Sequence, residues 1–541
     1  MSPINPLHLI DPKSYAERGY PYESWTRMRR EAPLQHFEPE GWPGFWAVTK
    51  HAHIVEISKQ PEQFLNAPGM TFTPDRGEEQ QEAAAQIRTI INMDPPDHRE
   101  YRKVASPYFT PRAINSLEGL VRDTARRLVD GLGREGECDF ITEIASMHPL
   151  KVIGRILGVP EADEPFILKL TNELFGSEDP ELQRAGDRME AMKSLFMEFW
   201  EYFGKIMTDR RANPTDDLAS VFANARVGGE PMGELETMGY CLIAFTAGHE
   251  TTRGAIGGGL HALIENPEQR TRWADDPELT PLAIDEIMRY VTPVNHMVRT
   301  AVADYELAGE LIRAGDKLVL FYASANRDED VFDAPDELRL DRNPNRHLAF
   351  GVGEHFCIGA HLARMTSGTL FRELVGRLEA IEVVGTPHNE IQIIPPAHTA
   401  PDVAGIVRMG AVVTFRLEAL ELNSLPQPVG IEPDFLGIIE HPQKGIGGLA
   451  TEIHCDVGDR VLPCPFTAVG DRGMGPVRDG AILPGHSVIA IFIDRHHQGR
   501  PGRHDGLARQ LPPGPGSGRD GQGRTGNRDL HAVLFVEHIA V

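Results

Sequence analysis

A cysteine set among glycines carries the clearest chemistry in this chain. In Phe350-Gly351-Val352-Gly353-Glu354-His355-Phe356-Cys357-Ile358-Gly359 the thiol follows two turn-forming glycines. It precedes a periodic apolar run of Ala360, Leu362, Ala363, Met365, Leu370, Phe371 and Leu374. Gly351 and Gly353 permit a tight turn without Cβ clashes. The N–H groups opening the next helix then point at the sulfur and favour its anion. Gly359 leaves room for a flat group against the backbone. A thiolate held in this way can ligate haem iron. The plainer reading is a buried structural cysteine in a Gly-rich turn.

Other residues fall at spacings that bring chemical groups together. Pro231 and Pro267 bound one long helical segment containing Ala247-Gly248-His249-Glu250-Thr251-Thr252. A glycine, an acid and two threonines are poor mid-helix choices, and such local weakness marks function. The stretch reads as a widened turn in which Thr251 holds water and Glu250 relays protons. Alternatively, Thr251 bonds the carbonyl one turn back and Glu250 pairs with a surface arginine. Asp94-Pro95-Pro96-Asp97 opens a helix with His98 and Arg102 four apart on one face, able to grip a carboxylate or simply to face solvent. Glu286 and Arg289 share a face and can form a bidentate ion pair.

The pattern F-G-x-G-x-H-x-C-x-G resembles the haem-binding loop of cytochromes P450, and every specified position matches. The resemblance implies a mainly α fold with a small β region, haem b as cofactor, and O2 as co-substrate. It makes Cys357 the axial thiolate and metal ligand, in a loop framed by Phe350, Gly351 and Gly359. Ala-Gly-His-Glu-Thr-Thr is similar to the family's oxygen-activation motif, with Thr251 and Glu250 in the catalytic roles. His98, Arg102, Arg299 and His355 correspond to partners of the haem propionates. Glu286, Arg289 and Arg342 correspond to a structural Glu-Arg-Arg cluster locking the cysteine loop. Val294, His296, Met297 and Val298 would line the pocket wall, residues 66–86 stand where relatives place a substrate-access loop, and residues 165–213 would cover the pocket.

Bulk properties fit that reading. The 541 residues are 41% hydrophobic and 25% charged, a globular composition. A net charge of −25 argues against a nucleic-acid partner. No apolar run suggests a signal peptide or membrane anchor, and five scattered cysteines suit a reduced, cytoplasmic setting. The resemblance spans roughly residues 10–418, giving a catalytic domain at 1–420 and an extension at 421–541. Residues 422–541 hold 20 of the 53 glycines and a single lysine, Lys444, and are expected to be poorly ordered. With two cysteines there, Cys455 and Cys464, the extension cannot supply the four ligands of a ferredoxin module. Electrons are therefore expected from an external ferredoxin and its reductase, docking near Arg346 and Arg364. The substrate class implied is an apolar small molecule, terpenoid or sterol-like. A peroxide-driven peroxygenase would be expected to lack the Glu250-Thr251 pair, and a non-catalytic haem sensor would need an output domain.

Overall fold

The computed structural model describes residues 3–67, 69, 71–74, 88–133, 135–175, 184, 188–392, 406–417, 452–457, 460–467, 486–493 and 531–538. The chain divides into two compact units, Met1–Leu420 and Glu421–Val541. The first unit is mainly helical, and its centre is the 32-residue helix Glu234–Glu265, with buried residues on every face. A helix apolar all round belongs inside. Its first half, through Met238, Tyr240, Leu242 and Phe245, packs into a core with Ile153, Leu195 and Phe203. Its second half, through Ala255, Ile256, Leu260 and Leu263, packs into another core with Ile284, Ile287 and Phe371. Gly259 makes the second junction possible, because a Cβ there would lie 2.8 Å from Ile287 and 2.9 Å from Phe371. Residues 247–252 fall between the two cores.

Local chemistry sets the helix ends. Asp217 accepts a 2.8 Å bond from the Ser220 N–H and opens Leu218–Ala223. Between residues 111 and 131 the chain forms two helices, Pro111–Asn115 and Glu118–Gly131. Ser116 ends the first by donating its hydroxyl to the Ala113 carbonyl, 2.6 Å, a side-chain bond that competes with helix propagation.

A five-stranded sheet runs in the order Leu34–Phe37, Phe45–Val48, Lys317–Phe321, His296–Ala301, Phe64–Leu65. Leu318 pairs antiparallel with Arg299, and Lys317 pairs parallel with Phe45. A second sheet joins Leu378–Gln392, Ile406–Leu417 and Glu135–Asp139. Within Glu421–Val541 the described residues form two antiparallel pairs: Glu452–Val457 with Arg460–Thr467, and His486–Ile493 with His531–His538. Most of the extension, including its Pro/Gly-rich run at 511–516, lies outside the described residues, as do 75–86 of the anticipated access loop and 176–183 of the segment expected over the pocket.

Candidate active centre and cofactor site

Cys357 opens into a cavity of about 210 Å³. Its loop folds back on itself: the Cys357 N–H donates to the Phe350 carbonyl at 2.9 Å, and the Phe356 N–H to that of Gly353 at 3.1 Å. Gly351 and Gly353 have φ of +66° and +79°. A Cβ on Gly353 would stand 2.2 Å from the Ser58 carbonyl oxygen, so backbone angle and close approach both demand glycine. The sulfur is reachable from the cavity, yet protein surrounds it otherwise. Burial pushes the thiol up, while the Gly359 N–H and the Arg102 and Arg364 guanidiniums act in the opposite sense. The helix-start N–H thus reaches the sulfur, but burial outweighs it. A Cβ on Gly359 would meet only the Cys357 sulfur, at 3.9 Å, which leaves that face open for a flat ligand.

His98, Arg102, Arg299 and His355 all line the same cavity. The His98 and His355 rings lie with centroids 4.0 Å apart, tilted by 30°. Neither ring nitrogen of His98 has a hydrogen-bond partner, nor does Nε2 of His355. Burial lowers the pKa of His98, with Arg102 adding to the effect. Burial, then His98, Arg299 and Arg102, push His355 down to about 2. His98 is buried, so the solvent-facing alternative fails for it. Arg102 donates to the Phe356 carbonyl at 2.5 Å and thereby braces the residue before Cys357. Arg299 donates to the Val298 carbonyl at 2.8 Å. Donors gathered around one cavity, with ring nitrogens left unpartnered, constitute a receptor for an anion.

Across the cavity, Ala247, Gly248, Thr251 and Thr252 present one face of the long helix. The helix stays α throughout, so the widened turn anticipated from the sequence is not found; side-chain bonding accommodates the weak residues instead. The Thr251 hydroxyl donates to the Ala247 carbonyl one turn back, 2.7 Å. Glu250 is fully buried and does not line the cavity. It pairs with Arg253, itself buried, and its Oε1 lies 3.1 Å from Nδ1 of His249. His249 in turn bonds the Ser146 carbonyl through Nε2, 3.0 Å. Burial alone would raise the Glu250 carboxyl; Arg253 and His249 more than offset this, holding it below the usual carboxylate range.

Glu286, Arg289 and Arg342 do meet. Arg289 forks onto both Glu286 oxygens at 2.8 Å, and Arg342 Nε reaches the same pair at 3.1 and 3.0 Å. Arg289 further donates to the carbonyls of Asn326, Pro335 and Glu337. Asn326 accepts the Leu348 N–H at 2.6 Å, which ties the cluster to the start of the cysteine loop.

The wall segment is only half as expected. Val294 and Met297 line the cavity, but His296 and Val298 do not. Alternate residues of a strand face opposite ways, so Met297 and Arg299 share the cavity side. His296 packs instead against Phe321, its pKa pushed down to about 4 by burial. Arg364, anticipated as a docking cation, donates to Asp285 at 2.6 Å and stacks over Phe350, whereas Arg346 is exposed. Sequence reading overlooked Arg253, His249 and Glu354. The Glu250-Thr-Thr-Arg253 spacing, an i,i+3 pair, was the available signal for the first.

These features define a cysteine-bearing cavity built for a flat, anionic cofactor, and the comparisons give the family. A family model described as Cytochrome P450 matches residues 36–276 and 272–393. The chain is 38% identical over 393 residues to Cytochrome P450-terp of a Pseudomonas species, covering 70% of this chain and 92% of that protein. It is 35% identical over 377 residues to a Steroid C26-monooxygenase of Mycolicibacterium smegmatis, covering 68% and 87%. A solved Mycobacterium marinum cytochrome P450 in complex with pseudoionone superposes with a TM-score of 0.66 at 32% identity, covering 76% of this chain and 99% of that one. The chain belongs to the cytochrome P450 family. It is a P450 monooxygenase, and its cofactor is haem b. The residues present fit that group: a sulfur opens into the cavity, an open glycine face flanks it, and unpartnered buried imidazoles await its carboxylates. No helix among the described residues is long and apolar enough to cross a membrane.

Proposed function

We propose that this enzyme hydroxylates an apolar small molecule, terpenoid or sterol-like, using electrons from a ferredoxin and its reductase. One oxygen atom of O2 enters a C–H bond and the other leaves as water, with two electrons and two protons consumed. Haem, when bound, supplies the reductive activation of O2 that makes an unactivated C–H bond reactive. Cys357 is the residue to ligate its iron, and His98, Arg102, Arg299 and His355 are those to hold its carboxylates.

The observation carrying the substrate class is the wall facing Thr251. Ile90, Ile91, Ile153, Ala244, Val294 and Met297 offer hydrocarbon, so burial favours a ligand of matching character. The printed names of a relative, a Steroid C26-monooxygenase, and of a neighbour holding pseudoionone point the same way, and that of a Methyl-branched lipid omega-hydroxylase supports an apolar substrate only. Thr251 can turn its hydroxyl from the Ala247 carbonyl toward the cavity and hold a proton at Oγ1. Glu250, the neighbouring carboxylate, relays protons toward it by taking one up and passing it on once its bond to Arg253 opens.

The first test is the reduced carbon-monoxide difference spectrum of the purified protein. A band at the wavelength that names the family is expected, and its loss in Cys357→Ser. A spin-state titration with monoterpenoids, steroids and fatty acids then tests the substrate: a shift with fatty acids alone would overturn the terpenoid or sterol reading. Turnover sustained by peroxide but not by ferredoxin would overturn the electron source. Glu250→Gln is expected to slow turnover by roughly 10²-fold, the scale of general acid–base catalysis, with haem content unchanged.

A further inference from the structure

We propose that Glu354 is a positioning residue for the cofactor, acting through His98; this rests on the reading that His98 faces the haem carboxylates. Glu354 sits on the single turn Gly353–His355, three residues before Cys357. It reaches to the helix Asp97–Ala105, where Arg99 clasps both its oxygens, Nε to Oε1 at 2.6 Å and Nη2 to Oε2 at 3.1 Å. Arg99 also bonds Glu62 at 3.2 Å. Held this way, Oε1 stands 3.6 Å from Nδ1 of His98, whose ring is 1% exposed.

The consequence concerns which protons His98 carries. A neutral imidazole donates from one nitrogen and accepts at the other; only imidazolium donates from both. With Glu354 beside Nδ1 and a cofactor carboxylate at Nε2, the ring lies between two anions, and both contacts are satisfied when both nitrogens bear protons. The charged groups around the ring are Arg102 on its own helix, Asp94 on the preceding loop, and Glu354 and His355 on the cysteine loop. Arg102 opposes the second proton, and Glu354 and Asp94 favour it. Glu354 therefore works against burial and Arg102, which together hold the His98 pKa down. Cofactor binding should accordingly take up a proton, and retention should weaken as pH rises through the titration of the bound ring.

The test is the rate of haem transfer from the holoprotein to excess apomyoglobin, in the wild type, His98→Ala, Glu354→Gln and the double variant. Glutamine keeps the shape and a bond to Arg99, so the loop retains its clasp. Each single change is expected to accelerate transfer roughly tenfold, the lower end of what losing a ligand's supporting partner costs. The double variant should be no faster than His98→Ala, and the weakening of retention at high pH should vanish in all three. Wild-type rates in Glu354→Gln would overturn the proposal while leaving the role of His98 intact. So would a Glu354→Gln effect that persists in the His98→Ala background, since the carboxylate would then be acting on the loop alone. Unchanged transfer in His98→Ala would overturn the reading of His98 itself, and the proposal with it.

Discussion

Two charged clusters flank the cysteine loop, and they are built on opposite principles. Around Glu286 the chain supplies the anion, two guanidiniums and the backbone carbonyls that absorb the remaining N–H groups. Lining the cavity, His98, Arg102, Arg299 and His355 gather hydrogen-bond donors, two of them guanidiniums, and the nearest carboxylate, Glu354, is shared with Arg99. The first cluster is complete within the polypeptide; the second needs an anion from outside. Completeness signals a structural lock, and incompleteness a receptor, because a native fold seldom leaves buried donors unmet without a use for them.

If that contrast holds, the largest effect comes from breaking the complete cluster. Glu286→Ala strands two buried guanidiniums, and a loss of about 3–5 kcal/mol of stability is expected by chemical denaturation, with or without cofactor. Arg299→Ala should do the reverse. It should leave the denaturation midpoint of cofactor-free protein unchanged or slightly raised, by relieving like-charge crowding, yet speed haem release by roughly 10–100-fold. A large loss of cofactor-free stability in Arg299→Ala would erase the distinction between the clusters.

Next in size is an acid effect that belongs to neither cluster. Burial pushes His296 and His148 down to about 4, whereas an unfolded chain takes up those protons near pH 6.5. The unfolded state therefore binds more protons between those values, and stability falls as pH drops from about 6.5 toward 4. His296→Leu should flatten that decline in a pH series of melting curves. The smallest change concerns an exposed charge: Arg346→Glu should reduce ferredoxin-supported reduction and its salt dependence, leaving stability and cofactor retention alone. Unaltered salt dependence would remove Arg346 from the docking face.

Local patterns made much of this legible. The cysteine loop, the two glycines at positive φ and the Glu286–Arg289 pair all depend on neighbours a few residues away, and short spacings report such neighbours well. The long helix was bounded by its prolines, and its observed limits fall just inside them. What escaped depended on contacts distant in sequence or on which way a side chain turns. The segment holding His296 is legible as pocket wall, but the strand it forms and its register against Lys317–Phe321 decide that Met297 rather than His296 meets the cavity. Glu250 was recognised without its direction: Arg253 and His249 on its own helix draw it away from the cavity wall. Arg364 was read as a free cation because Asp285, its partner, lies on another helix.

The turn at Gly353 sits against the Ser58 carbonyl, and His51 bonds the Arg346 carbonyl at 2.8 Å. The cysteine loop is thus seated on a helix from the first sixty residues. During synthesis that seat emerges early and waits, while Cys357 arrives only after most of the catalytic unit has been translated. Haem capture through Cys357 is consequently a late event in the life of the nascent chain.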